Sequence, residues 1–178
     1  SGKSTASKFL SGKRGPLFSA DSAVKELYKS SSFKSLISKK FKIKNNNQIK
    51  KNLKKMIFNN SVELKKLEKI IHPIVRKDMF LFIKKNRNRK LIFLEIPLLI
   101  ESKLTKYFDI IIFIKSKKNI RLKRYLSKYK KSANLFKLLD KKQIKDSKKE
   151  IYCDHIVVNN NSVSVLKNKL YNIIKLYE

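Results

Sequence analysis

Cysteine occurs once in the 178 residues, at Cys153, and histidine only twice, at His72 and His155. A single cysteine excludes an intramolecular disulfide framework and fits a reducing, cytosolic setting. One Cys with two His leaves almost no ligand set for a His/Cys metal site. Acid is scarce as well: 13 Asp and Glu stand against 45 Lys and Arg, a formal charge of +32. No apolar run approaches the ~20 residues that span a bilayer as a helix. No transmembrane segment is therefore expected, and the opening residues lack a signal-peptide pattern. Arginine is short too, at 6 against 39 Lys, although Arg is the better residue for bidentate contact with phosphate or guanine. The lysines are spread along the whole chain, beside 15 Asn and 21 Ile. That combination points to an A/T-rich coding bias more than to a dedicated polyanion surface. Non-specific attraction of anions follows from the charge, but a specific nucleic-acid partner or a membrane is not expected.

What remains is enough for a folded core. The hydrophobic fraction is 42%, and it comes in dense blocks rather than scattered residues, which argues against disorder. The length suits one domain with a small inserted lobe. Two blocks, 91–96 and 108–114, are short, almost continuous and rich in Ile and Phe, the pattern of strands covered on both faces of a parallel sheet. Residues 16–20 and 155–158 predict two further strands. Asp21 stands at an expected helix N-cap, ahead of Val24 and Leu27 at helical spacing. Residues 30–44 are of low complexity, rich in Lys and Ser, and 45–47 are a run of Asn that signals a turn. Helical periodicity returns over 48–58 and again from Val62 to Ile71, where Pro73 should end or restart the helix. Helices are expected over 74–85, 117–128, 133–143 and 144–152, and an amphipathic one closes the chain from Val163 to Ile174. Strands alternating with helices predict a three-layer α/β fold on a parallel sheet.

The chain opens on Ser1-Gly2-Lys3-Ser4-Thr5, the back half of the phosphate-binding pattern G-x-x-x-x-G-K-[ST]. Each part has a physical task. Gly2 lets the backbone approach a phosphate, and a following helix start offers free N–H groups. Lys3 brings a mobile positive charge to the β- and γ-phosphates, and the Ser4 hydroxyl is a ligand for Mg²⁺. A four-residue match arises readily by chance, and a solvated polar terminus is the plain alternative. The front half of the loop and the strand that feeds it are not in the sequence. As given, the chain is expected to bind ATP poorly and to be less stable.

Further motifs follow in order: Ala20-Asp21, then Leu67-Glu68-Lys69-Ile70-Ile71-His72-Pro73, then Glu95-Ile96-Pro97-Leu98-Leu99-Ile100-Glu101. Arg121-Leu122-Lys123-Arg124 with Lys128, then Gln143, Cys153-Asp154 and Val157-Val158-Asn159 complete the series. This series resembles the dephospho-CoA kinase family over essentially the whole chain. The resemblance implies a P-loop kinase fold, a three-layer parallel sheet whose central first strand is not in the sequence. Its core would be 1–29 and 88–178, its helical substrate lobe about 30–87 and its lid about 125–148. It implies transfer of the ATP γ-phosphoryl group to the ribose 3′-hydroxyl of dephospho-CoA, with ATP and Mg²⁺, by a cytoplasmic monomer.

Carried over position by position, the resemblance makes Lys3, Asp21 and Arg124 the catalytic group. Asp21 would receive or orient the acceptor hydroxyl, and Arg124 would face the transferring phosphates. Ser1, Gly2, Lys3, Ser4, Thr5, Lys128 and Asn159 would hold ATP, with Ser4 on the metal and Asn159 near the adenine. His72, Pro73, Glu95 and Leu98 join Asp21 as substrate-binding residues. The chain departs from the family pattern at Ser19 and Glu95, where Asp is usual, and at Arg121, Lys128 and Lys50. The Arg-to-Lys exchanges at 128 and 50 keep charge and lose the bidentate fork.

Each residue also has a plainer role. Asp21 as a helix cap, Glu95 as a buried structural carboxylate and Arg124 as part of a solvated basic helix are all open. The same holds for Cys153 as a packed side chain and for lysine pairs such as Lys148-Lys149 as solvated faces. The 18 Phe and Tyr lie mostly within apolar blocks and read as core. Another small-molecule P-loop kinase, or a basic nucleic-acid-binding protein, are the rival functions.

Overall fold

The computed structural model describes residues 1–43, 48–58, 60–129, 133, 136–137, 140 and 143–178, with backbone only at 58, 128 and 129. The expected Asn turn at 45–47, much of the expected helix over 133–143 and part of the expected lid lie outside the described residues. The chain divides into two compact units, Ser1–Leu17 with Glu95–Glu178, and Phe18–Leu94.

Where the second unit begins, strand β1 (Leu17–Ser19) runs directly into helix α2 (Ala20–Leu27). Ser19, extended at φ −125°, takes the N-cap position that the sequence assigns to Asp21, and Asp21 falls in the first turn. Both residue types cap helices well, and the helix simply starts earlier, at Ala20. β1 pairs with β2 (Phe93–Glu95), and β2 spans only the middle of the apolar block at 91–96.

Helix α3 (Ser31–Phe41) occupies the segment that composition marks only as low in complexity. Its residues Phe33, Ile37 and Phe41, spaced by four, are all buried, and Ile37 is fully so. The Ser30 hydroxyl caps it, accepting from Phe33 N at 3.4 Å, and Lys42 ends it in the left-handed region at φ 52°. This stripe joins Ile43, Ile49, Leu53, Leu67 and Ile71 in one cluster, with α4 (Ile49–Phe58) and α5 (Ser61–Lys85) supplying the rest. Each such side chain contributes about 1.5–3 kcal/mol relative to exposure.

α5 runs unbroken for 25 residues, with Pro73 inside it, where the sequence predicts an interruption. An interior proline removes one hydrogen bond and costs about 3 kcal/mol. Leu67 and Ile71 before it and Met79 after it are all buried on the same helix, so packing on both sides of the proline outweighs the local penalty. Asn60 Oδ1 caps the start, accepting from Val62 N at 3.0 Å and Glu63 N at 3.1 Å. α2 packs against α5, and the Phe18 and Phe82 rings meet at 5.6 Å.

In the first unit, α1 (Lys3–Ser11) packs against the closing helix α8 (Val163–Ile174). Strand β3 (Ile112–Lys115) pairs in parallel with β4 (His155–Val158), in the register Ile112 to His155 and Ile114 to Val157. β3 begins later than the apolar block at 108–114. Ile111 is diverted to the turn before β4: its N–H donates to Asp154 Oδ2 at 2.7 Å, and its carbonyl accepts from Asp154 N and His155 N. The crossover between β3 and β4 contains α6 (Lys118–Tyr129) and α7 (Asp146–Glu150). Ile114, Val157, Leu166, Leu170 and Ile174 form the buried centre. The described strands form two pairs, and no third strand joins either among the described residues.

Candidate active site

The N-terminus of α1 is built for close approach. Gly2 precedes the helix at φ 96° and ψ 17°, in the left-handed region that favours glycine. A Cβ at this position would lie 2.4 Å from Asn159 Nδ2, so any side chain here must displace its neighbour. No acidic residue occupies the first turn. The free N–H groups of a helix start, with its partial positive charge, therefore face no built-in anion from that turn. Lys3 and Ser4, both half-buried, begin the turn, and Thr5 is exposed.

Ser4 is held by Glu95. Its Oγ donates to Glu95 Oε1 at 2.5 Å, and Ser7 Oγ donates to Oε2 at 3.2 Å. Glu95 ends β2 and is buried, at 8% exposure. A buried carboxylate is costly unless it is hydrogen-bonded, and the two serine hydroxyls, one turn apart on α1, meet that need. The hydroxyl expected on a metal and the carboxylate expected at a ligand site are thus in direct contact.

Asn159, just past β4, is buried at 5% exposure and ties the site to the sheet. Its N–H donates to Lys115 O at 2.8 Å, and its Nδ2 donates to Ser1 O at 2.9 Å. Its own carbonyl accepts from Ser116 Oγ at 2.6 Å and Arg124 Nη1 at 3.0 Å. Arg124 Nη2 reaches Asn161 O at 3.1 Å, so the guanidinium spans two carbonyls of the loop after β4. A lysine offers no such fork. Arg124→Lys is expected to lose about one net hydrogen bond, ~1 kcal/mol, and to lower the Tm by about 2–4 °C for a chain of this size. Calorimetry checks this, and an unchanged Tm would show that the two carbonyls do not need the fork.

Other expected residues are placed as follows. Leu98 sits half-buried in the turn after β2, its carbonyl accepting from Ser102 N at 2.9 Å. Lys128 lies near the end of α6, and its side chain is outside the described ones. Asp21, exposed on α2, and His72 and Pro73, exposed on α5, belong to the other unit. Arg121 is tied to Asp140 at 2.6 Å and to Ser116 O at 3.2 Å.

Sequence reasoning misplaces Lys149. Instead of a solvated face it is buried at 5% exposure, paired with Glu101 at 2.9 Å and donating to Gln143 Oε1 at 3.2 Å. Glu101 Oε1 also accepts from Ile144 N at 3.3 Å. The signal was present, since Glu101 and Gln143 both stand in the motif series, but their common partner is visible only in three dimensions. Cys153 matches its expected packed role. Its Sγ approaches Lys149 O at 3.1 Å, and burial pushes its thiol pKa up, away from a thiolate nucleophile. Among the described residues no group of three His, Cys, Asp or Glu could hold a metal ion. Nor, among them, is any helix long and apolar enough to cross a membrane.

With this geometry established, comparison with known proteins is decisive. The model of the dephospho-CoA kinase family matches residues 1–164. The chain belongs to the dephospho-CoA kinase family. The dephospho-CoA kinase of Rickettsia prowazekii is 31% identical over 175 residues, which cover 98% of this chain and 91% of the relative. That of Bartonella quintana is 32% identical over 178 residues, with the same coverage. Among solved structures, TT1252 from Thermus thermophilus superposes with a TM-score of 0.76 at 20% identity, over 99% of this chain and 92% of its own. The dephospho-CoA kinase from Campylobacter jejuni gives 0.64 at 24% identity, over 99% and 92%. The fold is the mixed α/β fold of these proteins. Dephospho-CoA kinase membership also accounts for the order of the motifs, from Gly2-Lys3-Ser4-Thr5 to Asn159.

Proposed function

We propose that the chain transfers the γ-phosphoryl group of ATP to the ribose 3′-hydroxyl of dephospho-CoA, giving coenzyme A, as a cytoplasmic monomer. The observation that carries this reading is the Gly2-Lys3-Ser4-Thr5 segment at an acid-free helix start, in a chain matching the dephospho-CoA kinase family over residues 1–164.

Phosphoryl transfer asks mainly for positioning and for positive charge around the moving oxygens. In this reading Ser1, Gly2 and Thr5 shape the phosphate-facing turn and Lys3 neutralises charge on the β/γ bridge. The donor set around Ser4 fits Mg²⁺: a hydroxyl beside a buried carboxylate offers oxygen ligands, directly or through water, of the kind this ion takes. Ser4 and Glu95 would hold it, and bound there it offsets phosphate charge. Asp21 aligns the acceptor hydroxyl and takes its proton. Arg124 and Lys128 lie on the helix that leads into the lid, whose closure over the donor excludes water. Asn159 fixes the loop beside the nucleotide, while His72, Pro73 and Leu98 contribute to the acceptor side.

The test is a panel of acceptors offered to the full-length protein with ATP and Mg²⁺, with the product identified by mass. Dephospho-CoA is expected to turn over and to yield a 3′-phosphate, with adenosine, AMP and other nucleosides at least about 100-fold poorer in kcat/KM. Equal turnover of a nucleoside monophosphate would move the assignment to another small-molecule kinase.

A further inference from the structure

Ser7 has one hydroxyl proton and two acceptors within reach. Its Oγ lies 3.2 Å from Glu95 Oε2 and 3.3 Å from Ser4 O, one turn back on α1. A serine hydroxyl donates once, so the two acceptors compete. A hydrogen bond to an ionised group is roughly twice as strong as one between neutral groups, which favours the carboxylate. Ser11, one turn further along α1, is the contrasting case. Its Oγ makes the same bond to a carbonyl three residues back, Lys8 O at 3.3 Å, and reaches no carboxylate among the described residues.

Ser4 and Ser7 are three positions apart and so lie side by side on the helix. Glu95, buried at 8% exposure, spans them, with Oε1 on Ser4 Oγ at 2.5 Å and Oε2 on Ser7 Oγ. The last torsion of a glutamate is broad and soft, so a carboxylate held by one oxygen still turns. Held by both, it has a single orientation. Ser4 inherits that order. Its O–H is committed to Oε1, and the two lone pairs that a hydroxyl oxygen keeps then have a fixed direction.

We infer that Ser7 is a positioning residue for the Mg²⁺ that accompanies ATP, an inference that rests on the reading of Ser4 and Glu95 as its ligands. Ser7 acts through Glu95. It holds Oε2, which keeps Oε1 on Ser4 and the Ser4 oxygen open to a cation. Without the Ser7 hydroxyl, a buried carboxylate oxygen loses its donor, and the group turns to find another. The ion then meets a hydroxyl and a carboxylate that must first reorient, an ordering cost that a preformed site avoids. The penalty falls on metal affinity. The Gly2-Lys3 turn that faces the phosphates keeps its own geometry, so nucleotide binding without metal is untouched.

The experiment uses the full-length protein saturated with a non-hydrolysable ATP analogue. Binding of Mn²⁺, which like Mg²⁺ takes six oxygen ligands, is followed by electron paramagnetic resonance. Ser7→Ala is expected to weaken Mn²⁺ binding about 3- to 10-fold, the effect of one charge-assisted hydrogen bond acting at one remove. Affinity for the analogue with a chelator present, and KM for dephospho-CoA, should not change. Ser7→Thr keeps the hydroxyl and should restore most of the loss. Ser11→Ala removes a back-bond of the same kind from the same helix and should leave Mn²⁺ affinity unchanged. In a Glu95→Asp background, where the shorter side chain is expected to reach one serine only, Ser7→Ala should add little. Normal Mn²⁺ binding in Ser7→Ala, or an equal loss in Ser7→Ala and Ser11→Ala, would overturn the role of Ser7. Glu95→Gln, close in shape and without the charge, tests the metal reading itself. Mn²⁺ affinity that falls in Glu95→Gln but not in Ser7→Ala would remove Ser7 and leave Ser4 and Glu95 as ligands. Affinity unchanged in Glu95→Gln would overturn the metal site, and the part of Ser7 with it.

Discussion

Asp21→Asn should lower kcat for dephospho-CoA by about 10²- to 10⁴-fold, the range for loss of a general base, with little change in KM for ATP. Asn matches Asp in shape and still orients a hydroxyl, but it does not take a proton. The exchange is mild for folding. Asp21 is exposed in the first turn of α2, and Ser19 rather than Asp21 occupies the cap position. What folding loses is the attraction between a carboxylate and the positive helix end, about 0.3–1 kcal/mol. Steady-state rates and a thermal melt on the same preparation separate the two effects. A folded variant with full kcat would remove Asp21 from the chemistry, and a large fall in Tm would show a structural role that its exposure does not suggest.

Gly2→Ala should damage both stability and nucleotide binding. An alanine at φ 96° is strained by about 1–3 kcal/mol. Its Cβ would also meet Asn159 Nδ2 at 2.4 Å, expelling the amide from its bond to Ser1 O. A buried amide left unpaired costs a further ~1–3 kcal/mol. At about 2–4 °C per kcal/mol, the expected fall in Tm is roughly 4–24 °C, with KM for ATP raised about tenfold or more as the helix start moves. Because the damage passes through one neighbour, Asn159→Ala should harm the Gly2→Ala background less than it harms the wild type. A double-mutant cycle reads that coupling. Strict additivity would mean that the close approach is relaxed elsewhere.

Much of this architecture is legible in the residues, and the failures have physical causes. The two Ile- and Phe-rich blocks become strands β2 and β3 because continuous apolar runs suit a covered sheet. α6 and α8 form where the sequence places them, to within a residue. α3 is hidden, since eight of its eleven residues are Ser, Lys or Leu, and only the four-residue spacing of Phe33, Ile37 and Phe41 betrays its buried stripe. Pro73 misleads because a local rule meets a helix anchored on both sides by buried residues, and long-range packing prevails. At the site, Ser4 is readable from its motif and Glu95 from its place at a strand end, but their mutual hydrogen bond joins residues 91 positions apart. Arg124 is readable from the sequence as a cation on a helix. That its fork rests on the carbonyls of Asn159 and Asn161 follows from parallel pairing of β3 with β4, which no local pattern encodes. Lys149 shows the same limit: its run of charge looks like a wet surface, and only the fold brings Glu101 to it.

The bridge from Arg124 to Asn159, and from Asn159 to Ser1, has a mechanical corollary. α6 is riveted near its base to the same loop that fixes the opening residues of the chain. Lys128 lies one turn further along, about 6 Å up the axis. The position of Arg124 along α6 is therefore coupled to that of Ser1, and a shift of either must be absorbed in the loop after β4 or passed on to the other.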